Sequence, residues 1–122
     1  MSTPPPVLRV AVPTPLYEVF DYRPPRGLTA EAILPGMRVS VPFGRRQAVG
    51  VVVGSGPAQI DPGRIKPVHA VLDAAPVLDP ALLGLLTWAA DYYQHPLGEV
   101  LSTALPTLLR QGEPADVRGI PT

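Results

Sequence analysis

Cysteine is absent from this 122-residue chain, lysine occurs once, and its ten basic residues are balanced by ten acidic ones. Without cysteine there is no disulfide framework, no thiolate nucleophile and no cysteine-held zinc. His69 and His95 have no third ligand in view, so no metal site is expected. The chain has no GxxxxGKS or GxxxxGKT sequence, which excludes a phosphate-cradling loop for ATP hydrolysis, and neither GxGxxG nor GxSxG occurs. No apolar run approaches the roughly 20 residues that a membrane-spanning helix needs. Residues 1 to 6 carry neither a basic nor an apolar signal stretch. A soluble, unexported protein in a reducing cytoplasm, with no membrane partner, is the expectation.

Proline and glycine are plentiful instead, at 18 and 11 residues, yet hydrophobic residues make up 46% of the chain. That combination predicts a folded, loop-rich domain rather than a disordered one. The zero net charge hides a division. Residues 1 to 66 hold eight basic against four acidic side chains, and residues 67 to 122 hold two against six. A positive first half could meet phosphates, although a solvated surface explains the same pattern.

Leu8, Val10 and Val12 alternate with Arg9 and Ala11, the signature of a half-buried strand, which Pro13 and Pro15 end. A second extended run covers residues 18 to 22. After the Pro35-Gly36 turn signal, Met37, Val39 and Val41 alternate with Arg38, Ser40 and Pro42, giving a strand with one wet, basic face. Arg45, Arg46 and Gln47 then lead into a β-branched run over 48 to 53, its hairpin partner. Residues 55 to 64 read as loop, and 66 to 72 as a strand with Val68, Ala70 and Leu72 on one face. Short strands with Gly/Pro turns and no intervening helices predict a small antiparallel barrel or curled sheet.

Beyond residue 73 the period changes. Asp79 is a good N-cap with Pro80 at the first helical position, and a helix should run to about Gln94, before His95-Pro96. Its stripes Leu82-Leu86-Ala90-Tyr93 and Ala81-Leu85-Trp88-Tyr92 predict cover on two sides, with Trp88, Tyr92 and Tyr93 packed against the sheet. A shorter helix over 97 to 105 should end at Pro106. The fold class is thus mostly β with C-terminal helices. The expected division is a flexible start over 1 to 6, a domain over 7 to 108 (barrel about 7 to 73, helices about 79 to 105), and a linker or tail over 109 to 122.

Certain motifs recur in a telling order: Phe20-Asp21-Tyr22, Pro35-Gly36, Val39-x-Val41-Pro42-Phe43-Gly44, Trp88-Ala89-Ala90-Asp91-Tyr92-Tyr93 and His95-Pro96-Leu97-Gly98. With Ala104-Leu105-Pro106 and Leu109-Arg110-Gln111-Gly112, they resemble the amino-terminal domain of the primosomal protein N′ (PriA) family of replication-restart helicases. The resemblance runs from about Val10 to Gly112. It implies an OB-like barrel that binds the 3′ end of a nascent strand at stalled forks and D-loops, followed in the parent chain by a winged-helix domain and helicase lobes. It also implies a bacterial, nucleoid-associated protein that meets other primosome proteins. The parent would be an ATP-dependent 3′–5′ DNA helicase, with ATP and zinc held elsewhere. This part would be a monomeric binding module, not an enzyme, and would hold no cofactor. The family's 3′-end pocket maps onto Phe20, Asp21, Tyr22 and Gly44, with Lys66, the single lysine, as the candidate for its cation.

The chemistry is coherent from below. A carboxylate repels internal phosphates, but an ionised Asp21 accepts a hydrogen bond from a terminal 3′-OH and so selects an end. Phe20 or Tyr22 would stack on the last base without regard to its identity. Gly44 would admit close approach, and Lys66 with Arg45 or Arg46 would meet neighbouring phosphates. Read without the resemblance, Phe20 and Tyr22 are core or cross-strand partners, Asp21 a solvated strand residue, Gly44 a turn glycine and Lys66 a surface lysine. The alternative function is an SH3-like barrel that docks another protein.

Overall fold

A computed structural model describes residues 5–14 and 19–112, with the side chains of 106–112 outside the description. Residues 1 to 4 of the expected flexible start, Pro15, the start of the second extended run at Glu18, and the tail from 113 lie outside the described residues. Five strands form one sheet: β1 (Val7–Ala11), β2 (Phe20–Tyr22), β3 (Arg38–Phe43), β4 (Arg46–Gly56) and β5 (Ala70–Val71). Their order is β2-β1-β4-β3-β5, and every ladder is antiparallel. The sheet does not close into a barrel. Its two edges are instead tied by one parallel bridge, Arg23↔Pro67, in which the Arg23 N–H donates to the Lys66 carbonyl at 2.9 Å and the Val68 N–H to the Arg23 carbonyl at 2.9 Å.

Two apolar clusters flank the sheet. On one side Leu8, Val10, Val39, Val41 and Val52 pack with Tyr22, Ile33, Met37 and Val68; on the other Ala11 and Val51 meet Leu78, Leu83, Leu101 and Leu105. This explains the near-continuous apolar run of β4, since a strand covered on both faces has little use for alternation. It also corrects β1, which is buried at four of its five positions rather than half-buried, Arg9 being the exception.

The helices are α1 (Pro80–Tyr92) and α2 (Leu97–Gly112). Asp79 caps α1, its carboxylate accepting from the Leu82 N–H at 2.8 Å, and Gln94 ends it in the left-handed conformation at φ 58°. Gly98 lets α2 approach the segment just after β1, because a Cβ there would collide with the Val12 carbonyl. Two expectations fail here. First, α2 continues through Pro106 to Gly112 instead of stopping; a proline removes one N–H donor at a cost of about 3 kcal/mol, but Leu101 and Leu105 are buried against the sheet and hold the helix in place. Second, α1 buries only Leu83 and Ala90, while Trp88, Tyr92 and Tyr93 are 57%, 65% and 63% exposed. One sheet and one neighbouring helix cover a single side of α1, and its second stripe faces solvent.

The last strand is also shorter than expected. Val68 is buried, but Ala70 and Leu72 are exposed and Val71 is the residue packed against the core. The His69 N–H donates to the Ser40 carbonyl and the Leu72 N–H to the Arg38 carbonyl, so regular pairing begins only after His69 and the faces shift.

Candidate nucleic-acid interface

The triplet Phe20-Asp21-Tyr22 makes up all of β2, an edge strand. Successive side chains on a strand point to opposite faces, so the triplet is split. Phe20 and Tyr22 turn toward the core. Phe20 meets Phe43 edge to face, with ring centroids 5.1 Å apart at 74°, and stays half-buried. Tyr22 is buried, and its hydroxyl donates to the Pro42 carbonyl at 2.7 Å. Burial raises its phenol above the ordinary 10.0 by penalising the phenolate. Tyr22 therefore offers no face for stacking, and of the two aromatics only Phe20 keeps that capacity.

Gly44 follows Phe43 and begins the two-residue turn between β3 and β4, where Phe43 pairs with Arg46. Its φ is +63° and Arg45 has no positive φ, the pattern of a type II′ hairpin that demands glycine first. A Cβ added here would meet nothing within 4 Å, so the space above it is open. Arg45 and Arg46 are exposed beside it. Lys66 is exposed too, and the Arg23↔Pro67 bridge sets it beside Tyr22. Phe20 and Tyr22 thus meet the segment Pro42-Phe43-Gly44, while Lys66 lies beside Tyr22.

Asp21 stands apart from them. Its Oδ2 accepts from the Gln59 N–H at 2.7 Å, and its Oδ1 is buried with no hydrogen-bond partner. Arg9 is directly opposite it across the β1–β2 ladder. Arg38, expected on a wet basic face, is occupied: its Nε and Nη2 donate to the two carboxylate oxygens of Asp73 at 2.9 and 2.8 Å, and its backbone N–H donates to Oδ2 at 2.9 Å. Sequence reading passed over Arg9 and Gln59. A lone arginine within the apolar run VLRVA was a readable signal for the first. The second contributes a backbone N–H, which no residue identity announces.

Among the described residues no group of three or more His, Asp or Glu side chains converges, and no helix is long and apolar enough to cross a membrane. A family model for the PriA 3′ DNA-binding domain (3′BD) matches residues 9–106. The chain is 40% identical over 110 residues to the replication restart protein PriA of Haemophilus influenzae, covering 89% of this chain and 15% of that protein. It is 38% identical over 96 residues to the PriA of Synechocystis, covering 76% of this chain and 11% of that protein. Against the PriA of Bacillus subtilis it is 37% identical over 92 residues, with 75% and 11% covered. The chain therefore spans 11% to 15% of the length of these relatives. On the family match and these identities, the chain belongs to the 3′ DNA-binding domain family of the replication restart protein PriA.

Proposed function

We propose that this domain recognises the 3′-hydroxyl terminus of a DNA strand without base selectivity, and that in its parent it positions a replication-restart helicase at stalled forks and D-loops for primosome assembly. The observation that carries this reading is the state of Asp21, whose carboxylate is anchored through one oxygen by Gln59 while the other has no protein donor. An ionised carboxylate only accepts, so it suits a hydroxyl donor and repels a phosphate. As β2 is an edge strand, one nucleotide can straddle it, with Phe20 and the open space at Gly44 on one face and Asp21 on the other. The exposed Lys66, Arg45 and Arg46 supply cations for the preceding phosphates. ATP hydrolysis and zinc binding belong, on this reading, to other regions of the parent.

The test is fluorescence anisotropy with one short single strand ending in 3′-OH or in 3′-phosphate. A hydrogen bond to a charged group contributes about 1.5 to 3 kcal/mol, so the hydroxyl end should bind about 10- to 100-fold more tightly. Asp21→Ala should erase that ratio. Equal binding of both ends by the native chain would reduce the site to a basic surface, and indifference to DNA would return the SH3-like docking barrel.

A further inference from the structure

Each of Arg9 and Asp21 leaves a buried polar atom unused. Nη1 of Arg9 and Oδ1 of Asp21 are the two buried side-chain polar atoms without a hydrogen-bond partner among the described residues. The register places these two residues opposite each other on β1 and β2, yet they do not reach ion-pair distance. Both are held by the same loop: Arg9 Nη2 donates to the Pro57 carbonyl at 3.0 Å, and Asp21 Oδ2 accepts from the Gln59 N–H at 2.7 Å. The ladder between β1 and β4 also slips between Arg9 and Val10, where Gly54 and then Val52 are the partners. Such a bulge re-aims the side chain beside it. The guanidinium rests on Gly56, where a Cβ would stand 3.1 Å from Nη2 and 3.3 Å from Nη1.

A buried donor and a buried acceptor, on residues paired across the ladder and separately anchored, form a costly arrangement unless further groups satisfy them. A hydroxyl can satisfy both, because it carries one donor and two acceptor lone pairs, and on binding it would displace any water that serves them in the free protein. We propose that Arg9 is a second specificity-determining residue of the 3′-terminal site: its Nη1 donates to the oxygen of the terminal 3′-hydroxyl while that hydroxyl donates to Oδ1 of Asp21. This rests on the reading of Asp21 given above. It adds a consequence that Asp21 alone lacks, since a terminus bearing hydrogen in place of hydroxyl leaves both atoms unpaired.

The experiment compares three 5′-labelled single strands that differ only at the 3′ terminus: hydroxyl, hydrogen (a dideoxy end) and phosphate. The native chain should prefer hydroxyl over hydrogen about tenfold, and Arg9→Met should reduce that preference to about twofold or less. Gly56→Ala nudges the guanidinium by a few tenths of an ångström without altering its charge and should lower the preference in the same direction, and Arg9→Lys, which keeps the charge but loses the fork, serves if Arg9→Met does not fold by circular dichroism. Binding of the phosphate-ended strand should weaken in Arg9→Met and strengthen in Asp21→Asn, because one change removes an attraction and the other a repulsion. Loss of the preference with these opposite signs supports the proposal. A native preference that survives both Arg9→Met and Gly56→Ala, or phosphate effects of the same sign, overturns the role of Arg9 and leaves the reading of Asp21 standing. No native preference for hydroxyl over hydrogen overturns the hydroxyl reading itself, and Arg9 with it.

Discussion

Two arginine–aspartate neighbours occupy this sheet, and they are built to opposite ends. Arg38 and Asp73 close on each other in a two-pronged pair, with side chains 18% and 4% exposed, and the aspartate also accepts the Arg38 backbone N–H. Arg9 and Asp21 face each other across a ladder, each bonded to the backbone of the 57–59 segment, each with one buried polar atom unused. The first pair is a fastening between the start of β3 and the connection to α1. The second leaves one polar atom on each residue unpaired, the state that the proposed 3′-terminal site requires. Identical chemistry thus fastens the fold in one place and stays unpaired in the other, and the difference lies in whether the geometry lets the two side chains meet.

The sharpest way to break that comparison is to remove one partner of each pair. Asp73→Ala should cost about 3 kcal/mol of stability, because it leaves the Arg38 guanidinium largely covered without its carboxylate, and should leave the ratio of hydroxyl- to phosphate-ended binding intact. Urea unfolding combined with anisotropy checks both halves. Asp21→Asn should do the reverse, lowering the hydroxyl preference about tenfold or more while shifting the urea midpoint little, since the bond it disturbs joins a single exposed N–H.

A third change probes the buried side of the same strand. Tyr22→Phe removes the hydroxyl bond to Pro42 and should cost about 1 kcal/mol. Folding raises the phenol, so nothing changes below the ordinary 10.0, where both states are protonated. Above it the unfolded chain ionises first and native stability falls. Urea midpoints at pH 9 and pH 11 should therefore separate for the native chain more than for Tyr22→Phe. The smallest effect belongs to Lys66→Ala, which should lower the slope of log affinity against log salt by about 0.7 if Lys66 meets one phosphate.

Much of this protein is legible in its residues. The first strand, the Gly44 turn and the Asp79-Pro80 helix start are local signals, and each appears where local physics places it, although β1 is covered on both faces rather than half-buried. What escaped reading depends on neighbours distant in sequence. Trp88, Tyr92 and Tyr93 are apolar enough for a core, but only the packing of α1 against one side of the molecule decides that they face solvent, where Trp88 and Tyr92 stack at 5.1 Å. Arg38 looks like a wet cation until the chain brings Asp73 back to it from 35 residues away. Tyr22 looks like a stacking platform until Pro42 takes its hydroxyl.

Residue chemistry by itself determines the mostly β class, the helical end, the lack of cysteine and ATP-loop chemistry, and, through the order of its motifs, the PriA family. Period, turn residues and motif order are properties of neighbours along the chain, so no folding is needed to read them. Only the tertiary structure decides that the sheet stays open, that the Phe20-Asp21-Tyr22 triplet divides across two faces, and that Arg9 stands beside Asp21 with both held by the 57–59 segment. Those facts follow from strand order and register, which set distances between residues that the chain itself keeps far apart.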